Sequence, residues 1–389
     1  MIKKISTREL IERLEIFWER KNKFKKVEKE INHLTLLTSP YFRNTFTPSI
    51  GAGILDFKIA KILSNPTWDI DYAGDKFYVN GLNFRAFDVS SVAYGDDRLS
   101  LFHSIACFSV NNPNNKIMTQ EELINKTYDF LVGQIGLSPE KIIVSIFSGG
   151  KIDNIYYQSD EKSIKTWLKL GIKENNIIQT SIRFNFLASM VEQYRNHDLL
   201  PFVGPRSEIF YYIKDSHPKL IEIATMQFIV GQRDKDNIQK ILKIPEVSSI
   251  AFGIERLMMI LNSVNNIYEI DILKPVLDKA YELVNEKIKG PYFITKELIK
   301  PEIQTLIDHI RAYYFIMFHI DKNYDAKILT DGRKSTINRL KKGINQSAKA
   351  LGINIQENLK EIVDMIINTH ISIQPEIKNY GVENLELIN

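Results

Sequence analysis

The chain has 389 residues, 44% of them hydrophobic and 25% charged, with a formal net charge of +4, the composition of an ordinary soluble globular protein with room for roughly two or three domains. One cysteine, Cys107, excludes an internal disulfide framework and a cysteine-based zinc site, and no two of the seven histidines stand at His-x-x-x-His spacing. No apolar stretch approaches the ~20 residues that span a bilayer, and the start, Met1-Ile2-Lys3-Lys4, has no apolar signal core, so a cytoplasmic protein without a membrane partner is expected.

In chain order, Ser6-Thr7-Arg8-Glu9 sets a hydroxyl three residues before a glutamate, a helix-entry signal. Leu10, Leu14 and Phe17 share one face, which predicts a helix over residues 7–23. Lys21, Lys23, Lys25 and Lys26 read as a solvated face. Residues 27–60 are mixed, with Pro40, Pro48 and Gly51-Ala52-Gly53 as turn signals. The clearest sheet lies in residues 76–110. Residues 77–89 and 99–110 carry strand patterns, and the polar stretch 90–98 between them suits an antiparallel pair with a long hairpin. Helices are predicted over residues 121–135 and 160–172, the second stopped by Gly171, with a strand at 141–147. Residues 207–213 and 220–230 predict two more strands. A poorly patterned segment then leads into Ala251-Phe252-Gly253 and a helix from Ile254 onward. From about residue 275 the pattern is helical almost throughout, which sets the expected domains at 1–275 and 276–389. No internal repeat or low-complexity tract is visible.

Charge is uneven. Residues 327–352 hold Lys327, Arg333, Lys334, Arg339, Lys341, Lys342 and Lys349 against the single acid Asp331, a local +6 that leaves −2 for the rest of the chain. Such a segment is a footprint for a polyanion, or simply a solvated helix face.

Two arginines on separate elements draw attention. Arg256 stands in Gly253-Ile254-Glu255-Arg256 at the start of an apolar helix, and Arg85 in Asn83-Phe84-Arg85-Ala86. A guanidinium meets phosphate oxygens in bidentate fashion and keeps its charge, so the two could grip a triphosphate from both ends. Either one alone reads as a surface or salt-bridge residue.

Six further segments stand in a telling order: Ser91-Val92-Ala93-Tyr94 through Leu101-Phe102 to Phe108-Ser109; Gly204-Pro205-Arg206-Ser207-Glu208-Ile209-Phe210-Tyr211; Glu222-Ile223; Gly253-Ile254-Glu255-Arg256; Asn265-Asn266-Ile267-Tyr268-Glu269-Ile270-Asp271; and Asp308-His309-Ile310-Arg311-Ala312. From Ser6 to about Gly352 the chain thereby resembles the catalytic half of alanyl-tRNA synthetases, a class II family. The first segment is similar to that family's second class II motif. The next is similar to its Gly-Pro-Cys-x-Glu-Ile-x-Tyr segment, and the Gly253 segment to its third motif. The last resembles the opening of its helical tRNA-binding region.

The resemblance implies an α+β fold, an antiparallel sheet flanked by helices and followed by an all-helical domain. It implies a ligase that uses ATP and Mg2+. Arg85 would meet the α-phosphate, Phe102 would stack on adenine, and Arg256 would meet the γ-phosphate, with Arg98 and Gly253 beside the nucleotide. Glu208 and Glu222 would be the magnesium ligands. Asn185, Leu187, Ser249 and Glu222 would line the acyl-substrate pocket. Arg333, Lys334, Arg339, Lys341 and Lys342 would meet the acceptor. The implied reaction activates a small amino acid, alanine or a related acid, to an acyl-adenylate and transfers it to a tRNA 3′ end.

Four departures from the family fall at substrate contacts. Ser248-Ser249-Ile250-Ala251-Phe252-Gly253 stands where the family has Val-Asp-Thr-Gly-x-Gly, so Ser249 replaces the aspartate that pairs with the substrate ammonium. Asn185-Phe186-Leu187 replaces Asn-Phe-Trp. Phe87-Asp88-Val89-Ser90 shortens Gly-Lys-His-Asn-Asp, and Thr330-Asp331-Gly332 stands for Asn-Arg-Gly. With the chain ending at residue 389, the editing module is expected to be absent. These changes describe a paralogue with a kept ATP grip and an altered substrate grip. They leave a second reading open: a tRNA-independent adenylate-forming ligase that passes the acyl group to a small amine or a carrier protein. A third reading, an inactive binding module, is disfavoured by the presence of Arg85, Phe102, Glu208 and Arg256.

Overall fold

The computed structural model describes residues 4–26, 76–85, 88–111, 117–152, 155–181, 185–186, 202–213, 218–233, 241–284, 296–323 and 331–385. Helix α1 (Thr7–Glu15) starts where the hydroxyl signal places it: Ser6 Oγ accepts from the Glu9 N–H at 3.1 Å. It runs on as a π-helical turn over Ile16–Lys21, and Leu10, Leu14 and Phe17 are buried. After the short strand β1 (Lys25–Lys26), β2 (Lys76–Phe84) and β3 (Leu101–Val110) form the expected antiparallel pair, in register Asn83↔Phe102. Strand β2 stops earlier than the pattern suggested. Asp88–Ser90 and Val92–Tyr94 are 3-10 turns, because Asp88 N and Ser91 N bond back to Arg85 O and Asp88 O instead of across the ladder.

The next stretch contains α2 (Gln120–Tyr128), closed by a Thr119–Glu122 capping box and followed by a π turn, Asp129–Gln134. Strands β4 (Ile142–Phe147), β5 (Gly150–Ile152) and β6 (Ile155–Tyr157) follow, then α3 (Glu161–Lys169), capped by Asp160 and stopped near Gly171 at φ +91°. Beyond β7 (Ile177–Thr180) and β8 (Phe202–Val203) come the long elements β9 (Arg206–Ile213), β10 (Lys219–Arg233) and β11 (Ile241–Gly253). Gly204 is required before β9: a Cβ there would lie 1.9 Å from Phe228 O on β10.

Strand β11 is the segment whose pattern was poor. It lies between β3 and β10 and contains Pro245, which a central strand does not normally accept. The register with β10 steps from Ile229↔Val247 to Gly231↔Lys243, so the extra residues that hold Pro245 fall in an irregularity of the ladder.

Among the described residues the main sheet has nine strands, in the order β1-β2-β3-β11-β10-β9-β4-β7, with β8 on β10. The pairs β1–β2 and β4–β7 are parallel and the others antiparallel. Helix α4 (Ile254–Leu261) leaves β11 directly and buries its apolar run against the sheet. Helices α5 (Lys274–Leu283), α6 (Lys296–Asn323), α7 (Asp331–Leu351) and α8 (Ile355–His370) follow. One hydrophobic cluster includes Ile5, the inner face of the sheet, and Leu306, Ile310, Ile344 and Ile366 from the late helices. Among the described residues no helix is long and apolar enough to cross a membrane.

Candidate functional site

A cavity of about 530 Å3 opens where β2, β3, β11 and β10 run side by side. The topology brings its walls together from distant sequence. Arg85 follows β2, Phe102 is on β3, Glu222 and Thr225 are on β10, Gly253 ends β11, and Arg256 is in the first turn of α4. The 3-10 loop adds Asp88, Asp97 and Arg98. Arg85, Arg98, Phe102, Glu222, Gly253 and Arg256 therefore line one cavity, three of them cations.

Two of the cavity arginines, Arg85 and Arg256, are held by the protein itself. The Arg85 guanidinium carbon lies 4.8 Å from the centroid of the Phe102 ring, a cation–π contact, and one nitrogen is 4.0 Å from Asp88 Oδ2. Its backbone N–H donates to Ser100 O at 2.8 Å, which extends the ladder one residue past β2. Burial lowers the Arg85 pKa from its ordinary value, with Glu222 and Asp88 opposing; a guanidinium nonetheless stays charged at any physiological pH. Arg256 donates from Nε to Asp97 O at 3.1 Å and from Nη1 to Glu222 O and Oε2, both at 3.3 Å. A second carboxylate, Asp97 Oδ2, is 3.8 Å from Nη2. Beside Arg256, a Cβ on Gly253 would meet nothing nearer than Ile223 O at 4.0 Å, so the space over that residue belongs to the cavity.

The loop that roofs the cavity is clamped. Asp96 accepts from Lys219 at 2.8 Å and pairs with Lys300 of α6 at 2.6 Å. Burial pulls the Asp96 pKa up, but hydrogen bonds from Lys219 and Lys300 outweigh it and leave the group below the usual carboxylate value.

Glu222 Oε1 accepts from Thr225 Oγ1 at 2.9 Å, and Glu208 on the neighbouring β9 pairs with Arg206 at 2.8 Å. Burial raises the Glu208 pKa, and the nearby Glu222 charge adds to the rise while Arg206 opposes it. Of the two, Glu222 lines the cavity and Glu208 does not; carboxylate oxygens are the donors that a hard divalent cation takes beside phosphate and water. Among the described residues no group of three or more His, Cys, Asp or Glu could form an all-protein cage.

Of the four expected acyl-pocket residues, Glu222 lines the cavity. Ser249 is on β11 opposite Gln227 and Phe108, 5% exposed. Asn185 is fully buried, and its amide donates to Ser145 O, Ser145 Oγ and Arg206 O at 2.9–3.2 Å. Neither is among the residues lining the cavity. Leu187 lies outside the described residues.

On α7, Lys334, Arg339 and Lys342 are exposed and, with Ser335 and Asn338, line a shallow cavity of about 360 Å3. Lys341 lies 5.4 Å from the Tyr313 ring centroid. Arg333 is within α7, but its side chain lies outside the described residues, as do Lys327 and Thr330.

Reading along the sequence missed Asp88, Asp97 and Arg206. Arg206 stands in Gly-Pro-Arg-Ser-Glu, and its Nε is buried without a partner among the described residues. The polar loop and the Gly-Pro motif were the only signals, and neither says which strand a side chain will face. Asp308 and Arg311, in the segment that resembles a tRNA-binding region, are fully buried.

A family model described as class II (A) tRNA synthetases matches residues 77–386. The alanine–tRNA ligase of Candida albicans is 24% identical over 285 residues, 69% of this chain and 28% of that protein. The alanine–tRNA ligase of Corynebacterium jeikeium is 27% identical over 265 residues, 64% of this chain and 27% of that protein. The chain thus spans under a third of the length of these curated relatives. Among solved structures, an apo histidyl-tRNA synthetase from S. aureus aligns over 66% of each chain at 14% identity, with a TM-score of 0.38.

Proposed function

This chain belongs to the class II tRNA synthetases, and from that premise we propose that it activates a small amino acid, alanine or a related acid, with ATP and transfers the acyl group to the 3′ end of a tRNA. One observation carries the reading: Arg85, Arg98, Arg256 and Phe102 converge on a single cavity across an antiparallel sheet. That set supplies three phosphate-binding cations and one base-stacking ring.

The chemistry follows from the placement. A substrate carboxylate oxygen attacks the α-phosphorus in line, the bond from that phosphorus to the bridging oxygen breaks, and pyrophosphate leaves. Arg85 neutralises charge at the α-phosphate and Arg256 at the far end of the triphosphate, exchanging its Glu222 and Asp97 contacts for phosphate oxygens. Glu208 and Glu222 would hold magnesium, which when bound supplies further charge neutralisation on the phosphates. The acceptor hydroxyl then attacks the acyl carbon and AMP leaves. Residues 276–389 would form the acceptor-binding domain, with Arg333, Lys334, Arg339, Lys341 and Lys342 of α7 toward the polyanion.

A specific observation favours a second reading. Strand β11 carries neutral, buried Ser249 opposite Gln227, and Thr330-Asp331-Gly332 leads into the start of α7, which suits an adenylate-forming ligase that passes the acyl group to a small amine or a carrier protein. Pyrophosphate exchange across a panel of amino and carboxylic acids tests the activation step. Exchange with at least one small acid is expected, and none with any acid would remove the enzyme reading. Filter binding of tRNA across a salt series separates the acceptors: a steep dependence supports tRNA, a flat and weak response the ligase.

A further inference from the structure

One turn of α6 bonds to residues adjoining two of the cavity arginines, Arg85 and Arg256. Arg311 and Asp308, three residues apart on one helix face, are both 0% exposed. The Arg311 guanidinium donates to three separate elements: Nη1 to Leu101 O on β3 at 2.6 Å, Nη2 to Glu255 Oε1 on α4 at 3.0 Å, and Nε to His370 Nε2 on α8 at 2.9 Å. Glu255 in turn accepts the backbone N–H of His103 with both carboxylate oxygens, at 2.9 Å. Asp308 accepts from Ser100 N at 2.8 Å and Ser100 Oγ at 2.5 Å. The Ser100 carbonyl is the acceptor for the Arg85 N–H.

Every pinned residue adjoins a cavity side chain. Ser100 holds Arg85. Leu101 and His103 flank Phe102. Glu255 precedes Arg256. We propose that Asp308 and Arg311 are positioning residues for the nucleotide site, fixing Arg85, Phe102 and Arg256 relative to one another and tying α6 and α8 to that geometry. The proposal rests on the nucleotide reading of the cavity.

The physical case is one of specificity over stability. A fully buried ion pair gains little over well-packed hydrophobic residues, since desolvation offsets the Coulomb attraction. A planar five-donor fork does what an apolar side chain cannot: it fixes three acceptors from three elements in one plane. His370 is part of the same arrangement. It accepts at Nε2 and so must be neutral, with its Nδ1 proton available to Ile366 O at 2.9 Å, and burial together with Arg311 holds its pKa well below the ordinary histidine value.

The test is calorimetric titration of the full chain with magnesium ATP, which needs no acyl substrate. Arg311→Lys keeps the charge but loses the fork, and Asp308→Asn weakens the hold on Ser100. Leu359→Ala, which opens a hole in the same core about three turns from His370, is the matched control for lost stability. We expect Arg311→Lys to bind ATP at least about tenfold more weakly and Asp308→Asn at least about threefold more weakly. Leu359→Ala should melt earlier yet bind as the wild type does. ATP binding within about twofold of wild type in both clamp variants would overturn the proposal and leave the pair a purely structural one. If Arg311→Lys does not fold, Asp308→Asn against Leu359→Ala decides alone. A wild-type protein that does not bind ATP is a different failure, which removes the nucleotide reading and this proposal with it.

Discussion

Two ion-pair networks lie within a few residues of each other and could hardly differ more in how tightly they are sealed. In the cavity, Arg256 and its partners Glu222 and Asp97 are 25–27% exposed, at 3.3 and 3.8 Å. Behind the sheet, Arg311 and Glu255 are 1% and 2% exposed, at 3.0 Å. Adjacent residues, Glu255 and Arg256, both line the cavity, yet the Glu255 carboxylate pairs with buried Arg311 while the Arg256 guanidinium pairs with part-exposed Glu222 and Asp97. Water reaches the cavity pairs, so phosphate can replace a carboxylate at modest cost. It does not reach the buried pair, where either partner alone would be a stranded charge.

The comparison breaks most sharply if the buried pair is cut. Arg311→Met should destabilise the fold by about 3–5 kcal/mol, because Glu255 is left buried and unpaired; denaturant unfolding followed by tryptophan fluorescence measures it. A loss of under about 1 kcal/mol would place this pair in the same class as the exposed ones.

Arg256→Ala should do the reverse. Stability should change by less than about 1 kcal/mol, while pyrophosphate exchange should fall about 10²–10³-fold, since a charge-stabilising donor at the phosphates is gone. Unaltered exchange would contradict the role given to Arg256.

Phe102→Ala should weaken ATP binding by about 1–3 kcal/mol through lost stacking, and it also removes the ring against which Arg85 is packed. Comparing ATP with inorganic triphosphate separates the two effects, because only the first ligand has a base to stack.

Lowering the pH probes the buried histidines of the sealed side. Burial pushes the pKa of His103 down to about 3, and that of His370 falls well below its ordinary value. The unfolded chain therefore binds protons that the folded chain refuses, and stability must fall as pH drops below about 6.5, by up to about 1.4 kcal/mol per pH unit for each histidine. Glu255, whose pKa burial raises, works in the opposite sense once it takes up a proton. Stability curves between pH 7 and 5 should show the loss, and His370→Gln, which keeps an acceptor for Arg311 without a titrating group, should show a shallower one.

The smallest effect concerns α7. Replacing Lys334, Arg339 and Lys342 with alanine should lower the salt slope of tRNA binding by about one per phosphate contact removed. An unchanged slope would mean that the exposed basic face does not meet the polyanion.

Local signals were legible where the interaction is local. The Ser6 cap on Glu9 spans three residues, the β2–β3 hairpin follows from alternation, and Gly171 adopts the positive φ that ends α3. Arg85, Phe102 and Arg256 could be singled out because their residue types suit phosphate and adenine. Strand β11 could not be read, since a central strand with neighbours on both edges and an irregularity at Pro245 has no simple alternation. Arg206 was passed over because the predicted strand begins at residue 207; one residue more would have put it two positions before Glu208, on the same strand face.

By itself, then, the amino-acid order determined most of the helices, the first helix cap, the β2–β3 pair and the chemical kinds of side chain available for a phosphate site. Tertiary structure alone decided that Arg85 and Arg256 line the same cavity and that Asp308 and Arg311 are buried beneath it. The reason is range. Periodicity and capping act over a few residues, whereas Ser100 meets Asp308 across 208 residues and Arg311 meets Leu101 across 210, and such pairings form only when the sheet and the late helices close one core.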